Sequence, residues 1–472
     1  MKLVVLFAFI AYGADVPRVW VEADVQSLQL PPPNSAFQRG HLSETEYYRV
    51  SERKIYKTYL VYAPGREPKG YQEWLRSREP EIAFDETKLH DPEEWIEAGS
   101  VVFNWPLSLS PMFFSASDIK DPEFMRANGM PVAGDGTIPF ARWLVRQKGV
   151  VELGSMSCAA CHTRVLNDGT VLPGAQGNNP NDRQGALLLR SAATGAGAET
   201  LLRGVRAFAL QFEAPWAKDD PNRRARGMSL GDFVDAGLAV PPGVSVRANT
   251  SLVLPPQIPD LIGVRERAFL DHTGIVRHRG IGDLMRYTTL AQDFFVSEAE
   301  DKGGARRVPS QRYSDAQLYA LAQYLYSLRP PHNPNPLDAA AERGKRVFER
   351  EACVRCHTPP LYTNNKLIPV EGFSAESNPD VGGPPIGVDP RYALDSDQGR
   401  RQGSTRCLRS KDYGTEAHLA IMARRVLSKI GLIRRGCVPT TFPLDSRGST
   451  DVRGRFPATC LGSSYRRRIA GI

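Results

Sequence analysis

Two pentapeptides with one pattern, Cys-x-x-Cys-His, stand at Cys158–His162 (CAACH) and Cys353–His357 (CVRCH), 195 residues apart (158 to 353). The pattern is the attachment signal of a c-type haem. The two thiols add to the haem vinyl groups, whose separation the four-residue span matches. The adjoining imidazole then lies under the ring as proximal iron ligand. The spacing therefore assigns Cys158, Cys161 and His162 to one haem and Cys353, Cys356 and His357 to a second, with His162 and His357 as the iron ligands. A shared zinc site is a poorer fit, since Cys pairs of one zinc site usually lie roughly 12–20 residues apart. A thioredoxin-type pair gives no reason for a following His in both copies.

The N-terminus fits an exported protein. Lys2 precedes an apolar run, and small residues follow at Ala11, Gly13 and Ala14. That is the layout of a secretory signal peptide over residues 1–13, shorter than the roughly 20 residues of a membrane span. The expected location is the periplasm, with no membrane span. About 450 residues remain, enough for two or three domains with cores of their own. The chain holds 7 Cys, an odd count for an exported protein. Four belong to the pentapeptides; Cys407, Cys437 and Cys460 all lie in the last stretch. The net charge of +8 has the same origin. From Arg400 onward there are 16 Lys+Arg against 4 Asp+Glu, so the rest of the chain is slightly acidic. Nucleic-acid binding, which wants a basic folded face with aromatics, is not indicated.

Helical patterns surround the motifs. Asp338 can N-cap a helix through AAAERGKRVFER, with Gly344 and Phe348 on one face. Ser314 and Gln317 form a capping box before SDAQLYALAQYLYSL, which places Leu318, Leu321, Leu325 and Leu328 on one stripe. The expected fold is mainly α: two tandem cytochrome c-like haem domains with long loops, plus an irregular N-terminal extension. The expected divisions are 1–13 signal, 14–140 extension, 141–329 first haem domain, 330–336 Pro-rich linker within RPPHNPNP, 337–395 second haem domain, truncated, and 396–472 tail.

With these residues in place, the chain resembles the di-haem cytochrome c peroxidase and MauG-like superfamily. The resemblance rests on the tandem motifs and on CHTRVLNDGTVLPGAQGNNPNDR, IPDLIGVRERAFLDHTG and RGKRVFEREACVRCHTPPLYTNNKL, and covers about 150 to 395. It implies that the first haem reacts with a small oxidant, hydrogen peroxide or O2, and that the second relays electrons. It further implies a redox partner protein such as a small cytochrome or cupredoxin, and allows for calcium between the domains.

Departures from the family pattern narrow the reading. Peroxidases of the family carry a His about fifteen residues beyond the first motif; here no His occurs between His162 and His272, and that neighbourhood reads QGNNPN. The chain is thus closer to the branches without a distal His on the first haem. Leu270 stands where the family has a Trp, and Asp283 is the sole acidic residue where a Glu is expected shortly afterwards. His272 and His278 are candidate distal-pocket acid/base groups or iron ligands. Met228 and Met285 are candidates for the second haem's sixth ligand, with core filler as the competing role. Trp216 is a candidate neighbour of a haem edge.

The tail departs altogether. After IGVDPRYAL the family continues with a Lys-Val-Pro-Ser-Leu-type segment, whereas this chain turns Arg-rich. Read one nucleotide earlier, with permissible codons, TRCLRSKDYGTEA overlaps a frame encoding KVPSLKGLWYRG. The expectation is a frameshift near residues 396–404. It would account together for the Arg surplus and for Cys407, Cys437 and Cys460, and it leaves His418 without a ligand role. Three functions stay open at this point: an enzyme with a peroxide- or O2-reactive first haem, a non-enzymatic periplasmic electron-transfer cytochrome, and a gas-sensing module.

Overall fold

Two helices far apart in sequence, over residues 92–104 and 315–327, pack against each other in the core of the larger unit. The structure is a computed structural model, and it describes residues 15–26, 42–107, 109, 114–192, 227–244, 258–270, 277–293, 311–333, 335–369 and 404–406. Of these, 43% are helical and 14% lie in strands, so helix dominates and the sheets are small.

The described helices, in chain order, are α1 (Glu22–Gln26), α2 (Glu44–Arg49), α3 (Tyr71–Ser77), α4 (Pro92–Asn104), α5 (Pro122–Asn128) and α6 (Cys158–His162). They continue with α7 (Asn181–Ala192), α8 (Leu230–Ala239), α9 (Ile281–Asp293), α10 (Asp315–Ser327) and α11 (Ala339–Arg350). The described strands are β1 (Thr58–Tyr62), β2 (Thr137–Gln147), β3 (Val150–Gly154), β4 (Thr163–Val165), β5 (Val171–Pro173), β6 (Leu367–Pro369) and β7 (Ser404–Arg406).

By contact the chain divides into two units, residues 1–331 with 355–412, and residues 332–354 with 413–472. In the first unit α4 packs on α10. Helix α4 starts at a capping box of Asp91 and Glu94 with Pro92 in the first turn, where its missing N–H costs nothing. Helix α10 starts at the predicted Ser314/Gln317 box. The backbones touch at Gly99: a Cβ there would lie 2.0 Å from the Ala320 carbonyl oxygen. Val102, Phe103, Leu318, Leu321 and Leu325 are buried around the crossing. Trp95 meets Tyr319 edge-on at 5.1 Å, which adds a geometric preference to the apolar burial. The leucine stripe of α10 thus faces the core as its spacing predicts.

The irregular extension is a correction. Within 15–140 lie α4, β1 and most of the residues that cover β2. Trp95, Ala98, Val102 and Phe103 follow helical spacing, but an acidic first turn and Gly99 interrupt the pattern that a sequence reading looks for. The sheet runs β1-β2-β3, antiparallel throughout, with a register shift between Leu60 and Tyr62. Strand β2 is buried over almost its whole length. Leu144 faces the α4/α10 core, whereas Phe140 and Trp143 face a second core with Val61, Leu75, Ile119 and Met125. A strand covered on both sides does not alternate polar and apolar residues, which hides it in sequence. Residues 15–26 are held to α9, where buried Arg286 donates to the Val19 carbonyl at 3.1 Å and pairs with Asp24 and Asp283.

In the second unit the described part centres on α11. Asp338 accepts from the Ala341 N–H at 2.8 Å, the predicted N-cap, and Gly344 is buried. In the first unit Ser404–Arg406 pairs antiparallel with Leu367–Pro369. Residues 1–13, His272, Trp216, Cys407, His418, Cys437 and Cys460 lie outside the described residues. Among the described residues no helix is long and apolar enough to cross a membrane.

Candidate functional site

The first pentapeptide is a single helical turn set between strands. Strand β3 ends at Gly154, the chain turns through Met156 at φ 61, and Ser157 N-caps α6 by accepting from the Ala160 N–H at 3.2 Å. Cys158 and Cys161, three apart on a helical turn, lie toward the same side. Both are half-buried thiols, while Ala159 and Ala160 between them are buried.

His162 is oriented from 97 residues away: its Nδ1 lies 2.9 Å from the Pro259 carbonyl oxygen. A carbonyl only accepts, so Nδ1 carries the proton and Nε2 carries the ring's lone pair. This is the arrangement that metal-ligating histidines show, with the distal nitrogen fixed by a backbone carbonyl. The carbonyls that end α6 are met by one loop. Gly177 N–H donates to the Cys161 carbonyl at 3.0 Å and Gly174 N–H to the His162 carbonyl at 2.7 Å. A Cβ at Gly177 would stand 2.2 Å from the Cys161 carbonyl oxygen, so only glycine lets the loop come this close.

The QGNNPN stretch, which stands where the family has a His, forms an amide ladder behind this turn. Asn178 takes the Val165 N–H at 3.0 Å and gives to the Val165 carbonyl at 2.8 Å. Gln176 donates to the Gly243 carbonyl at 2.7 Å. Gln184 donates to Asn179 Oδ1 at 2.8 Å, Asn179 to Asn181 Oδ1 at 2.7 Å, and Asn181 Nδ2 lies 3.7 Å from Cys161 Sγ. Gln184 Oε1 is buried with no protein partner, a cost that burial normally avoids.

Around the second pentapeptide, the chain passes Ala352 at φ 58 and forms a 3-10 turn over Cys353–Arg355. Cys353 and Cys356 are half-buried thiols. His357 repeats the first arrangement: its Nδ1 lies 3.1 Å from the Tyr362 carbonyl oxygen. Asn364 braces this loop, its N–H on the Cys356 carbonyl at 2.8 Å and its amide on the Arg355 carbonyl at 3.1 Å. The positive-φ residues other than glycine among the described residues are Met156, Ala352, Tyr362 and Asn365, and all flank the two pentapeptides. Non-glycine residues in that region are uncommon and gather where function constrains the backbone.

One segment, Ile258–Leu270, serves both loops. Its Pro259 carbonyl accepts the His162 Nδ1–H hydrogen bond, and Asn365, eight residues past His357, accepts from the Ala268 N–H at 3.2 Å and donates to the Glu266 carbonyl at 2.8 Å. Arg267, buried, holds the segment in shape by gripping the Asp260 carbonyl at 2.8 Å and the Asp260 carboxylate at 2.7 Å.

His278 has both ring nitrogens engaged: Nδ1 at 2.8 Å from the Arg267 carbonyl oxygen and Nε2 at 2.6 Å from the Tyr326 hydroxyl. Burial pushes its pKa below the ordinary 6.5, against the pull of the Arg267 carbonyl. Asp283 is raised by burial but more strongly lowered by its bonds to Arg279, so it stays an ion-paired carboxylate rather than a proton donor. Leu270 is buried in the α4/α10 core, as is Met285, which is fully buried as core filler. Met228 is half-buried just ahead of the Ser229 cap of α8. Among the described residues no three His, Cys, Asp or Glu side chains gather to hold a metal ion such as calcium. Comparison with protein-family models, with curated proteins and with solved structures found no match to this chain.

A pH dependence follows from His278. The folded state binds its proton less readily than the unfolded state, so unfolding is favoured wherever the unfolded chain gains that proton. Stability should hold above pH 6.5 and fall as the pH drops below it. The loss by pH 5 should be about 1 kcal/mol or less, because the ring keeps some solvent. Denaturant titrations at pH 7.5 and 5 check this, and His278→Gln should flatten the difference by that amount.

Proposed function

We propose that the chain is an exported di-haem c-type cytochrome oxidoreductase, with a peroxide- or O2-reactive first haem on His162 and an electron-relaying second haem on His357. The observation that carries the reading is the repeated orientation of the two imidazoles. Each has Nδ1 on a backbone carbonyl, Pro259 or Tyr362, and so turns its Nε2 lone pair to the ligand role. The residues present fit the group: paired half-buried thiols for two thioether links and one imidazole per iron.

Haem, when bound, supplies an iron that exchanges single electrons and binds small oxidants. The chain's own contributions are distinct. Pro259 and Tyr362 fix the tautomer and ring orientation of His162 and His357. Asn181 and Gly177 position the Cys161 end of the first turn. Segment 258–270 ties the two loops together through Asn365, which keeps the paired sites in register. Hydrogen peroxide or O2 is the substrate class, and a small cytochrome or cupredoxin the class of redox partner.

The electron-carrier reading has its own support. His278 is already bonded at both nitrogens and Asp283 is ion-paired, so neither offers the acid–base group that O–O cleavage draws on. Absorption and EPR spectra of the oxidised protein, before and after one equivalent of hydrogen peroxide, separate the two. One high-spin and one low-spin haem, the high-spin signal vanishing with peroxide, is the expected result. Two low-spin haems indifferent to peroxide would replace the enzyme by the carrier.

A further inference from the structure

We infer that Tyr326 and His278 form a proton-coupled redox pair, in which Tyr326 gives up an electron toward an oxidant at the His162 site while its phenolic proton passes to His278. The inference rests on the haem reading of His162 for the electron's destination, but not for the pair itself.

The direction of the hydrogen bond is fixed by what surrounds it. The Arg267 carbonyl, 2.8 Å from His278 Nδ1, only accepts, so Nδ1 holds the ring proton and Nε2 is the acceptor. The Tyr326 O–H therefore donates to Nε2 across 2.6 Å, at the short end for an N···H–O contact. Burial raises the Tyr326 pKa to about 12 and lowers that of His278. Both groups rest neutral, with the proton on oxygen and a base aligned to take it.

The transfer conserves atoms and charge. One electron leaves the phenol, the O–H bond breaks, and the proton forms an N–H bond at His278 Nε2. The products are a neutral tyrosyl radical and an imidazolium whose Nδ1–H stays on the Arg267 carbonyl. Re-reduction returns the proton along the same bond. The oxidant is a one-electron acceptor of the iron-porphyrin class. The Arg265 guanidinium, 5.6 Å from the centre of the Tyr326 ring, disfavours a cation on that ring and so favours release of the proton with the electron.

The pair lies on the frame of the first site. His278 hangs on the Arg267 carbonyl, the Arg267 guanidinium grips Asp260, and the neighbouring Pro259 carbonyl accepts a hydrogen bond from His162 Nδ1–H. On the other side Leu328, two residues after Tyr326, packs where a Cβ on Gly174 would meet its Cδ1 at 2.4 Å, and Gly174 N–H bonds the His162 carbonyl. Tyr324 on the same helix is also pushed up to about 12 by burial, but its ring lies against Phe103 at 5.2 Å. It is the matched control.

The test uses the full holoprotein and two oxidants, hydrogen peroxide and flash-generated tris-bipyridine ruthenium(III), which works from solution and needs no haem. EPR should record a tyrosyl radical in the wild type after the flash. Tyr326→Phe should abolish that signal, His278→Gln should cut its yield at least tenfold, and Tyr324→Phe should leave it unchanged. Circular dichroism of each variant confirms the fold. A radical of equal yield in Tyr326→Phe, or no tyrosyl radical in the wild type, overturns the pair. A flash radical at Tyr326 with no response to peroxide leaves the pair standing and removes the oxidant-reactive reading of His162.

Discussion

Gly99→Ala should be among the most damaging single-methyl additions in this chain. The added carbon would sit 2.0 Å from the Ala320 carbonyl oxygen, 2.6 Å from its carbonyl carbon and 2.7 Å from Tyr324 Cβ. None of these is the movable end of a side chain, so α4 and α10 must separate. Helix interfaces relax poorly, because the interior is close-packed and the helices are rigid on this scale. Ordinary overpacking costs about 1–3 kcal/mol, and a clash on buried backbone belongs at or above the upper end. A loss of about 3 kcal/mol corresponds to a melting-point drop of roughly 4 °C for a unit made of residues 1–331 and 355–412, because the unfolding entropy grows with chain length. Gly280→Ala is the control: a Cβ there meets nothing within 4 Å, and the change should stay within about 0.5 kcal/mol. Melting the two variants beside the wild type decides the matter. Equal melting points for Gly99→Ala and Gly280→Ala would mean that the two helices do not cross at Gly99.

The same crossing shows where sequence reading succeeds and where it stops. The Ser314/Gln317 box, the Asp338 cap and the leucine stripe of α10 were legible because each is a local pattern whose physics acts within a few residues. The partner of α10 was not. Helix α4 carries glycine at its contact point, a residue that weakens a helix and reads as a break, while its value lies in letting another backbone approach. Strand β2 was hidden for a related reason, since burial on both faces removes the alternation that marks a strand.

In the site, the residues with side-chain chemistry were legible and their supports were not. Cys158, Cys161 and His162 announce themselves by spacing. Pro259 contributes a carbonyl, which any residue has, and it does so from 97 positions away. Tyr326 reads as one more member of an apolar helix face; only its 2.6 Å bond to His278 sets it apart. In sequence QGNNPN marks a place where a His is missing, whereas its amides bind Val165, Gly243 and the Cys161 turn. A stretch noted for what it lacks turned out to be structural support.

Replacing the thiols should have the largest effect on the proposed function, and should do so one site at a time. A serine keeps the size and the local polarity of cysteine but its hydroxyl does not add to a vinyl group, so no thioether forms. In a host that matures c-type cytochromes, the denatured wild-type chain should carry the mass of two haems. The pair Cys158→Ser and Cys161→Ser should lower that to one, with the remaining haem held at Cys353 and Cys356. The complementary pair, Cys353→Ser and Cys356→Ser, should leave the haem at Cys158 and Cys161. Peroxide reactivity should then follow the site: lost with the first pair of substitutions, and retained as a high-spin signal with the second. A zinc centre predicts a different result, since its ligands act together and either pair of changes would release the whole metal complement. Intact-mass measurement under denaturing conditions distinguishes these, because covalent haem survives unfolding and coordinated zinc does not. A wild-type chain at its bare polypeptide mass after maturation would remove haem c from both pentapeptides. The oriented imidazoles of His162 and His357 would then need another ligand class to explain them.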